Sequence, residues 1–193
     1  YQELFDATNR TGNALRELGV EMEDRVMLLL YDSPEFAASF FGAIKIGAVA
    51  VPVNTLMRAR EYVYYLNDSR ARVLIAHEPL LAEIEPIHDQ LRYLKHIVVV
   101  PTPSSMGARS GSTTSGGRLP GASSGGMAAR YLRFDEIASR ASLTLEPAAT
   151  VADDAAFWLY TSGSTGAPKG AVHLQRDMLY AADTVASSVF GYT

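Results

Sequence analysis

The chain has 193 residues, which is enough for one ordinary domain or two small ones, and 48% of them are hydrophobic and can build a core. A net charge of −4 gives no sign of a nucleic-acid surface, the absence of cysteine excludes disulfides and thiolate metal sites, and the apolar runs are too short to span a bilayer. We therefore expect a globular cytoplasmic protein that binds neither nucleic acid nor a membrane, and its oligomeric state stays open.

The first hundred residues alternate helical patterns with short apolar runs. Apolar residues at three- and four-residue steps predict a helix over residues 1–18, and Gly19 suits its end. Continuous apolar runs predict buried strands over residues 25–31, 48–53, 72–76 and 96–100. Helical patterns between them predict helices over residues 34–47, 58–67 and 80–91. Because strands that alternate with helices form parallel βαβ units, the predicted fold class is α/β, with a largely parallel sheet flanked by helices.

The composition changes sharply after residue 100. Of the 26 residues in 101–126, 20 are Gly, Ser, Thr or Pro. Such a segment buries too little apolar surface to offset the entropy lost on ordering, so we predict a flexible surface insertion over residues 101–130. A regulatory or binding loop is the alternative, although no charge or aromatic pattern supports one.

Ordered patterns return at residue 131 and continue to the last residues. The chain regains order over residues 131–134, and the later patterns predict a helix over 135–140, strands over 155–160 and 171–174, and a helix over 176–190. In the last helix we expect five apolar residues to face inward: Met178, Leu179, Ala182, Val185 and Val189. The chain thus divides into a first α/β portion (1–100), the insertion (101–130) and a continuation of the same domain (131–193).

The most informative segment is the Ser/Gly loop, residues 161–170, which lies between the last two predicted strands and reads TSGSTGAPKG. Glycines allow backbone N–H groups to approach a phosphate, hydroxyls donate hydrogen bonds, and Lys169 supplies a positive charge after the rigid Pro168. This set predicts a site for the polyphosphate of a nucleotide. The candidate binding residues are Thr161, Ser162, Gly163, Ser164, Thr165, Gly166 and Lys169.

Other loops of similar composition fit this segment less well. A Walker loop requires glycine before the lysine and Ser or Thr after it, whereas Pro168 and Gly170 flank Lys169 here. No G-x-G-x-x-G opens a helix after a strand, which excludes the Rossmann fingerprint. An ordinary Ser/Gly hairpin turn remains as the plain structural alternative. Residues 110–117 have a similar composition, but they lack flanking strands and a Pro-Lys pair, so we interpret them as linker.

Residues 160–170 resemble the phosphate-binding signature of the adenylate-forming superfamily, which contains acyl- and aryl-CoA ligases, peptide-synthetase adenylation domains and luciferases. Residues 3–19, 24–26, 40–48 and 51–54 are also typical of that superfamily. Within it, the closest resemblance is to benzoate- and hydroxybenzoate-CoA ligases. That resemblance is carried by residues 153–154, 156–160, 171–174 and 176–177.

The resemblance implies an ATP-dependent acid–thiol ligase that uses Mg²⁺ and takes CoA as co-substrate. An aromatic carboxylate such as benzoate or hydroxybenzoate would attack ATP to give an acyl-adenylate, and CoA would then displace AMP. In this scheme the Ser/Gly loop holds the β- and γ-phosphates, and Lys169 acts catalytically by offsetting charge on the leaving pyrophosphate. A fatty-acyl-CoA ligase and a peptide-synthetase adenylation domain are the alternatives, so the acceptor thiol belongs to CoA or to a carrier protein.

The resemblance covers only the first part of the large N-terminal domain of that superfamily. The rest of that domain and the C-terminal lid domain have no counterpart in the chain, and the sequence starts at Tyr1 rather than at Met. We therefore expect the natural N-terminus to be missing and the chain by itself to be inactive. The alternative from another class is a non-catalytic fragment that binds anions weakly.

The remaining polar and aromatic residues are interpreted structurally. His77, His88, His96 and His173 have no metal-ligand spacing, so no metal-binding residue is predicted, although His173 could support the loop or face the acid pocket. Asp153 and Asp154 are predicted to be a poor acid–base pair because neighbouring strand residues point to opposite faces. Tyrosines 62, 64 and 65 are predicted to form a helix packing face rather than a ligand cage.

Overall fold

A computed structural model of the protein describes residues 1–102, 130–161 and 167–191. The predicted flexible insertion lies almost entirely outside these residues, as do the five loop candidates Ser162, Gly163, Ser164, Thr165 and Gly166.

Helices and strands alternate along the described parts of the chain. The α-helices are α1 (Gln2–Glu17), α2 (Pro34–Lys45), α3 (Ala59–Asp68), α4 (Phe134–Arg140) and α5 (Gln175–Ala181). The strands are β1 (Arg25–Leu29), β2 (Val49–Pro52), β3 (Val73–His77), β4 (His96–Val100), β5 (Arg130–Arg133), β6 (Ala155–Thr161) and β7 (Lys169–Leu174). Two 3₁₀ segments (Glu78–Glu83 and Glu85–Gln90) follow β3, and a π-helical segment (Ala182–Val189) follows α5.

The seven strands form one sheet in the order β5-β4-β3-β1-β2-β6-β7. Every pairing is parallel except that of β6 with β7, which form an antiparallel hairpin at one edge. The prediction of an α/β fold with a largely parallel sheet is therefore confirmed. Strands β5 and β6, which follow the Gly/Ser-rich segment, join opposite sides of the sheet built by β1 to β4.

Apolar side chains cover both faces of the sheet. In β1, Val26 and Leu28 point into one cluster and Met27 and Leu29 into the other, and all four are fully buried. Helices α1, α2 and α4 pack on the first face, whereas α3 and the two 3₁₀ segments pack on the second. A strand buried on both faces requires a continuous apolar run, which is why the central strands could be located from the sequence.

Helices α1 and α2 cross at unusually short distance because glycines meet at the crossing. A Cβ atom added to Gly42 would lie 3.0 Å from the backbone nitrogen of Gly12 and 3.1 Å from the carbonyl oxygen of Thr8. A Cβ on Gly12 would collide with the side chain of Leu145. The contact between the two helices therefore depends on the absence of side chains at both positions.

The ends of these helices agree with their sequence signals. The hydroxyl of Ser33 accepts a hydrogen bond from the backbone N–H of Phe36 (3.2 Å) at the start of α2, where Pro34 occupies the first turn. Gly19 and Gly47 follow α1 and α2 with a φ of 78° each, a left-handed conformation that favours glycine.

Two helix predictions were wrong. Residues 80–91 form parts of two short 3₁₀ segments instead of one α-helix, because Pro86 has no N–H to donate and its ring obstructs a continuous helix. In the last predicted helix, Met178 packs against the core, but the other four residues predicted to face inward are exposed: Leu179, Ala182, Val185 and Val189. No element of the described residues covers that side of the helix. Within the same residues, no helix has the length and apolar character needed to cross a membrane.

Candidate functional site

The β6–β7 hairpin places the ends of the Ser/Gly loop opposite each other. Thr161, the last residue of β6, pairs with Lys169, the first residue of β7, and the Thr161 hydroxyl donates a weak hydrogen bond to the Lys169 carbonyl oxygen (3.4 Å). Strand β7 thus begins two residues earlier than predicted. Because β6 runs parallel to β2, the loop leaves the sheet at its carboxyl edge, where open α/β sheets bind their ligands.

Lys169 is exposed at this edge. None of the ion pairs formed by the described residues includes it, so its ammonium group has no acidic partner there. No carboxylate of these residues therefore competes with an anion for the Lys169 ammonium group. The geometry is consistent with a phosphate site, whose assignment to Thr161, Lys169 and the five residues outside the described part of the chain stays a prediction.

Hydrogen bonds from two tyrosine hydroxyls connect helix α3 to the residues at the two ends of the Ser/Gly loop. Tyr64 donates to the carbonyl oxygen of Pro168 (2.8 Å), and Tyr160 of β6 donates to the Asp68 carboxylate at the end of α3 (2.7 Å). The rings of Tyr65 and Tyr160 pack with centroids 4.4 Å apart. Burial and the bond to Asp68 both raise the pKa of Tyr160, so its hydroxyl stays protonated and remains a donor.

The tyrosine prediction was therefore correct for two of the three residues on α3. Tyr62 and Tyr65 are buried and pack in the second core cluster. Burial also raises the pKa of Tyr62 to about 12. Tyr64 is the exception, because it is 37% exposed and its hydroxyl contacts the Ser/Gly loop. The only sequence signal for this hydrogen bond is the position of Tyr64 between two buried tyrosines on a helix. That signal does not identify the Pro168 carbonyl as the acceptor.

Asp153 and Asp154 stabilise the turn before β6 instead of forming a catalytic pair. The Asp154 carboxylate accepts from the backbone N–H of Val151 (2.8 Å), and Asp153 forms an ion pair with Arg176. Both residues precede the strand, so the reason given for excluding them, alternation along a strand, does not apply. The better reason for excluding a catalytic pair is that each carboxylate already has a structural partner, the Val151 N–H for Asp154 and Arg176 for Asp153.

The histidines also make structural contacts. His173 lies opposite Phe157 across the hairpin and stacks on its ring, with centroids 4.5 Å apart and planes at 6°. That contact is on the face of the sheet opposite to α3, because Phe157 packs in the first core cluster and Tyr160 in the second. His77 is buried at the end of β3. In the described residues, no three His, Asp or Glu side chains are grouped closely enough to hold a metal ion.

The model of one protein family, AMP-binding enzyme, matches residues 1–192 of the chain. The chain belongs to the AMP-binding enzyme family. Among its curated relatives, benzoate–CoA ligase of Thauera aromatica is 36% identical over 192 residues, which are 99% of this chain and 32% of the relative. The 3-hydroxybenzoate–CoA/4-hydroxybenzoate–CoA ligase of the same organism is also 36% identical, over 99% of this chain and 32% of that protein.

Solved structures of AMP-binding enzymes have the same fold as this chain. An anthranilate CoA ligase in complex with anthranoyl-AMP superimposes with a TM-score of 0.81 at 38% identity, over 96% of this chain and 32% of that one. The resemblance to the adenylate-forming superfamily, and within it to benzoate- and hydroxybenzoate-CoA ligases, is confirmed. The chain spans about a third of the length of the relatives it matches, 32% in each of these comparisons.

Proposed function

We propose that the chain supplies the polyphosphate-binding part of an ATP-dependent ligase that joins an aromatic carboxylic acid, such as benzoate or a hydroxybenzoate, to CoA. The observation that carries the proposal is the β6–β7 hairpin, which presents Thr161 and Lys169 at the carboxyl edge of the sheet, where no carboxylate of the described residues forms an ion pair with Lys169. Membership of the AMP-binding enzyme family supports the use of ATP, and the relatives named for benzoate and hydroxybenzoate support the acid.

The proposed reaction has two steps. A carboxylate oxygen attacks the α-phosphorus of ATP, the bond from that phosphorus to the bridging oxygen breaks, and pyrophosphate leaves with its electron pair. The thiolate of CoA then attacks the acyl carbon and expels AMP. The first step is needed because the oxygen of a free carboxylate is a poor leaving group, whereas AMP is a good one.

The Ser/Gly loop acts on the leaving pyrophosphate in this scheme. The hydroxyls of Thr161, Ser162, Ser164 and Thr165 and the backbone N–H groups of Gly163 and Gly166 orient the β- and γ-phosphates. Lys169 offsets the negative charge that grows on them as the bond breaks. Loss of one such contact in an enzyme typically slows the reaction by about 10²–10³-fold.

Mg²⁺ would accompany ATP as a counter-ion in the proposed reaction and neutralise part of the phosphate charge. The described residues do not fit a protein-held magnesium site, because they assemble no group of three acidic or histidine side chains. We therefore assign the ion no protein ligand and derive no step through it.

Pyrophosphate release tests the proposed function. The protein that carries this chain together with the remaining segments of its relatives is incubated with ATP, Mg²⁺ and one acid: benzoate, 4-hydroxybenzoate, anthranilate or hexadecanoate. We expect release with at least one aromatic acid, dependent on the acid, followed by formation of its CoA ester when CoA is added. Release with hexadecanoate alone, or with none of the acids, would overturn the proposal. The 193-residue chain by itself is expected to release no more pyrophosphate than a blank without protein.

A further inference from the structure

We propose that Tyr64 on α3 is a positioning residue for Lys169, and that α3, through Tyr64 and Asp68, fixes the positions of Pro168 and Tyr160 at the two ends of the Ser/Gly loop. This inference rests on the proposed function, since it assigns to α3 the placement of the group that would contact the phosphates. It concerns residues that lie outside the Ser/Gly loop and more than ninety positions from it in the sequence.

Tyr64 restrains the peptide group that precedes the Cα atom of Lys169. Its hydroxyl donates to the carbonyl oxygen of Pro168 at 2.8 Å, and that carbonyl belongs to the peptide group whose nitrogen is that of Lys169. A peptide group is planar, so a hydrogen bond to its oxygen restrains the orientation of the whole plane. The φ of Pro168 is fixed by its ring. Together with the strand pairing of Lys169 with Thr161, these restraints limit the direction in which the Lys169 side chain leaves the backbone.

Asp68 restrains the other end of the loop through Tyr160. Tyr160 immediately precedes Thr161, and its hydroxyl is bonded to Asp68 of α3 at 2.7 Å. Residues 64 and 68 are four positions apart and therefore lie on one face of the helix. One face of α3 thus restrains both Tyr160, the residue before Thr161, and Pro168, the residue before Lys169. This keeps the spacing between Thr161 and Lys169 constant.

The side chain of Tyr64 is not needed to fill the core. Its neighbours Tyr62 and Tyr65 are 1% and 3% exposed, whereas Tyr64 is 37% exposed and contacts Tyr160 only at the ring edge, with centroids 6.4 Å apart. Removing its hydroxyl leaves these packing contacts in place. The Tyr64→Phe substitution therefore isolates the hydrogen bond to Pro168.

The test uses the protein that carries this chain together with the remaining segments of its relatives, and measures adenylation kinetics and the thermal midpoint. For Tyr64→Phe we expect kcat for pyrophosphate release to fall by about 10-fold, because a misplaced charge stabilises the leaving group poorly. The KM for the acid and the thermal midpoint are expected to stay unchanged. Tyr93→Phe is the matched control, since Tyr93 is 41% exposed and its ring packs against Arg70 rather than the loop. It should leave all three quantities unchanged.

A double-mutant cycle with Lys169→Ala separates positioning from simple structural support. If Tyr64 acts through Lys169, the double variant loses no more activity than Lys169→Ala alone. Multiplicative losses, or a lowered thermal midpoint with normal kcat, would overturn the inference. If Lys169→Ala slows adenylation and Tyr64→Phe does not, only the positioning role fails. If Lys169→Ala itself leaves adenylation unchanged, the proposed function of the loop fails.

Hydrogen exchange gives a readout that does not depend on turnover. Without ATP, the backbone amides of Ala167, Lys169 and Gly170 should exchange faster in Tyr64→Phe than in the wild-type protein, while those of β3 should not change. If the folded variant shows equal exchange at these three amides, Tyr64 does not restrain this end of the loop and the inference is wrong.

Discussion

His77 shows at the scale of one residue how burial selects a protonation state. Its Nδ1 accepts a hydrogen bond from the backbone N–H of Tyr31 (3.1 Å), and the two rings pack with centroids 5.0 Å apart. Burial lowers the pKa of His77 below its ordinary value of 6.5, although the charge of Glu35 acts in the opposite direction. The neutral form is the one that can accept the bond, so protonation of Nδ1 would remove a contact between β3 and the residues that follow β1.

A pH-dependent stability is expected from this residue. Because the folded pKa lies below the unfolded value, the contribution of His77 is fully present above pH about 6.5 and is lost as the pH falls through the folded pKa. In His77→Asn, whose amide oxygen can accept but does not titrate, the free energy of unfolding should fall less between pH 7.5 and pH 5. Urea denaturation of both proteins at the two pH values measures this. An equal fall in both would show that His77 does not contribute to the pH dependence.

The Ser/Gly loop could be singled out in the sequence because its pattern is local. A string of hydroxyls, glycines and one lysine between two apolar runs predicts an anion site, and the structure confirms that two strands, β6 and β7, flank this string. The hydrogen bond of Tyr64 could not be predicted, because its acceptor on Pro168 lies 104 positions away. Which residues meet across that separation depends on the order of strands in the sheet.

At the scale of elements, the crossing of α1 and α2 is the most specific contact of the fold. Gly12 and Gly42 allow the two backbones to approach, and this close packing is not visible in hydrophobic periodicity, which treats both positions as neutral. The predicted helix over residues 80–91 shows the opposite error, since its apolar spacing was suitable but Pro86 prevents a continuous α-helix.

The crossing predicts that Gly42→Ala destabilises the protein. On propensity alone, alanine would stabilise a helix interior by about 1 kcal/mol relative to glycine. The added Cβ would lie 3.0 Å from the Gly12 nitrogen and 3.1 Å from the Thr8 carbonyl oxygen, both of which are backbone atoms that cannot rotate away. We expect overpacking to dominate and to lower the free energy of unfolding by about 1–3 kcal/mol. Chemical denaturation measures this, and a gain in stability would show that the helices separate without cost.

At the scale of the whole molecule, the sheet explains why two distant parts of the chain, α3 and the β6–β7 hairpin, lie in contact. Strand β6 joins β2 through a pairing of Ala50 with Phe157, which brings the hairpin beside α3. The parallel class of the sheet followed from the alternation of strands and helices. The strand order did not, because the pairing of β2 with β6 spans the Gly/Ser-rich segment and no local pattern specifies it.

The last helix also shows that a local pattern does not identify long-range contacts. Leu179, Val185 and Val189 have the spacing of a buried face, yet they are exposed. Periodicity identifies the face of a helix that is apolar, but it does not identify what covers that face. The partner of an apolar face is a property of the assembled molecule rather than of the segment.

Under the proposed function, Lys169 contacts the ATP polyphosphate during adenylation. Lys169→Ala is compared with Lys95→Ala. Lys95 is a second exposed lysine, and it lies just before β4, at the amino edge of the sheet rather than the carboxyl edge. Both variants should keep the wild-type thermal midpoint to within about 2 °C, because exposed lysines contribute little to stability.

The decisive measurement is the rate of acid-dependent pyrophosphate release in these two variants, made in the protein that carries this chain together with the remaining segments of its relatives. We expect Lys169→Ala to lower kcat/KM for ATP by about 10²–10³-fold with little change in the KM for the acid, and Lys95→Ala to leave both at wild-type values. If a folded Lys169→Ala variant releases pyrophosphate at the wild-type rate, Lys169 does not contact the polyphosphate in the reaction.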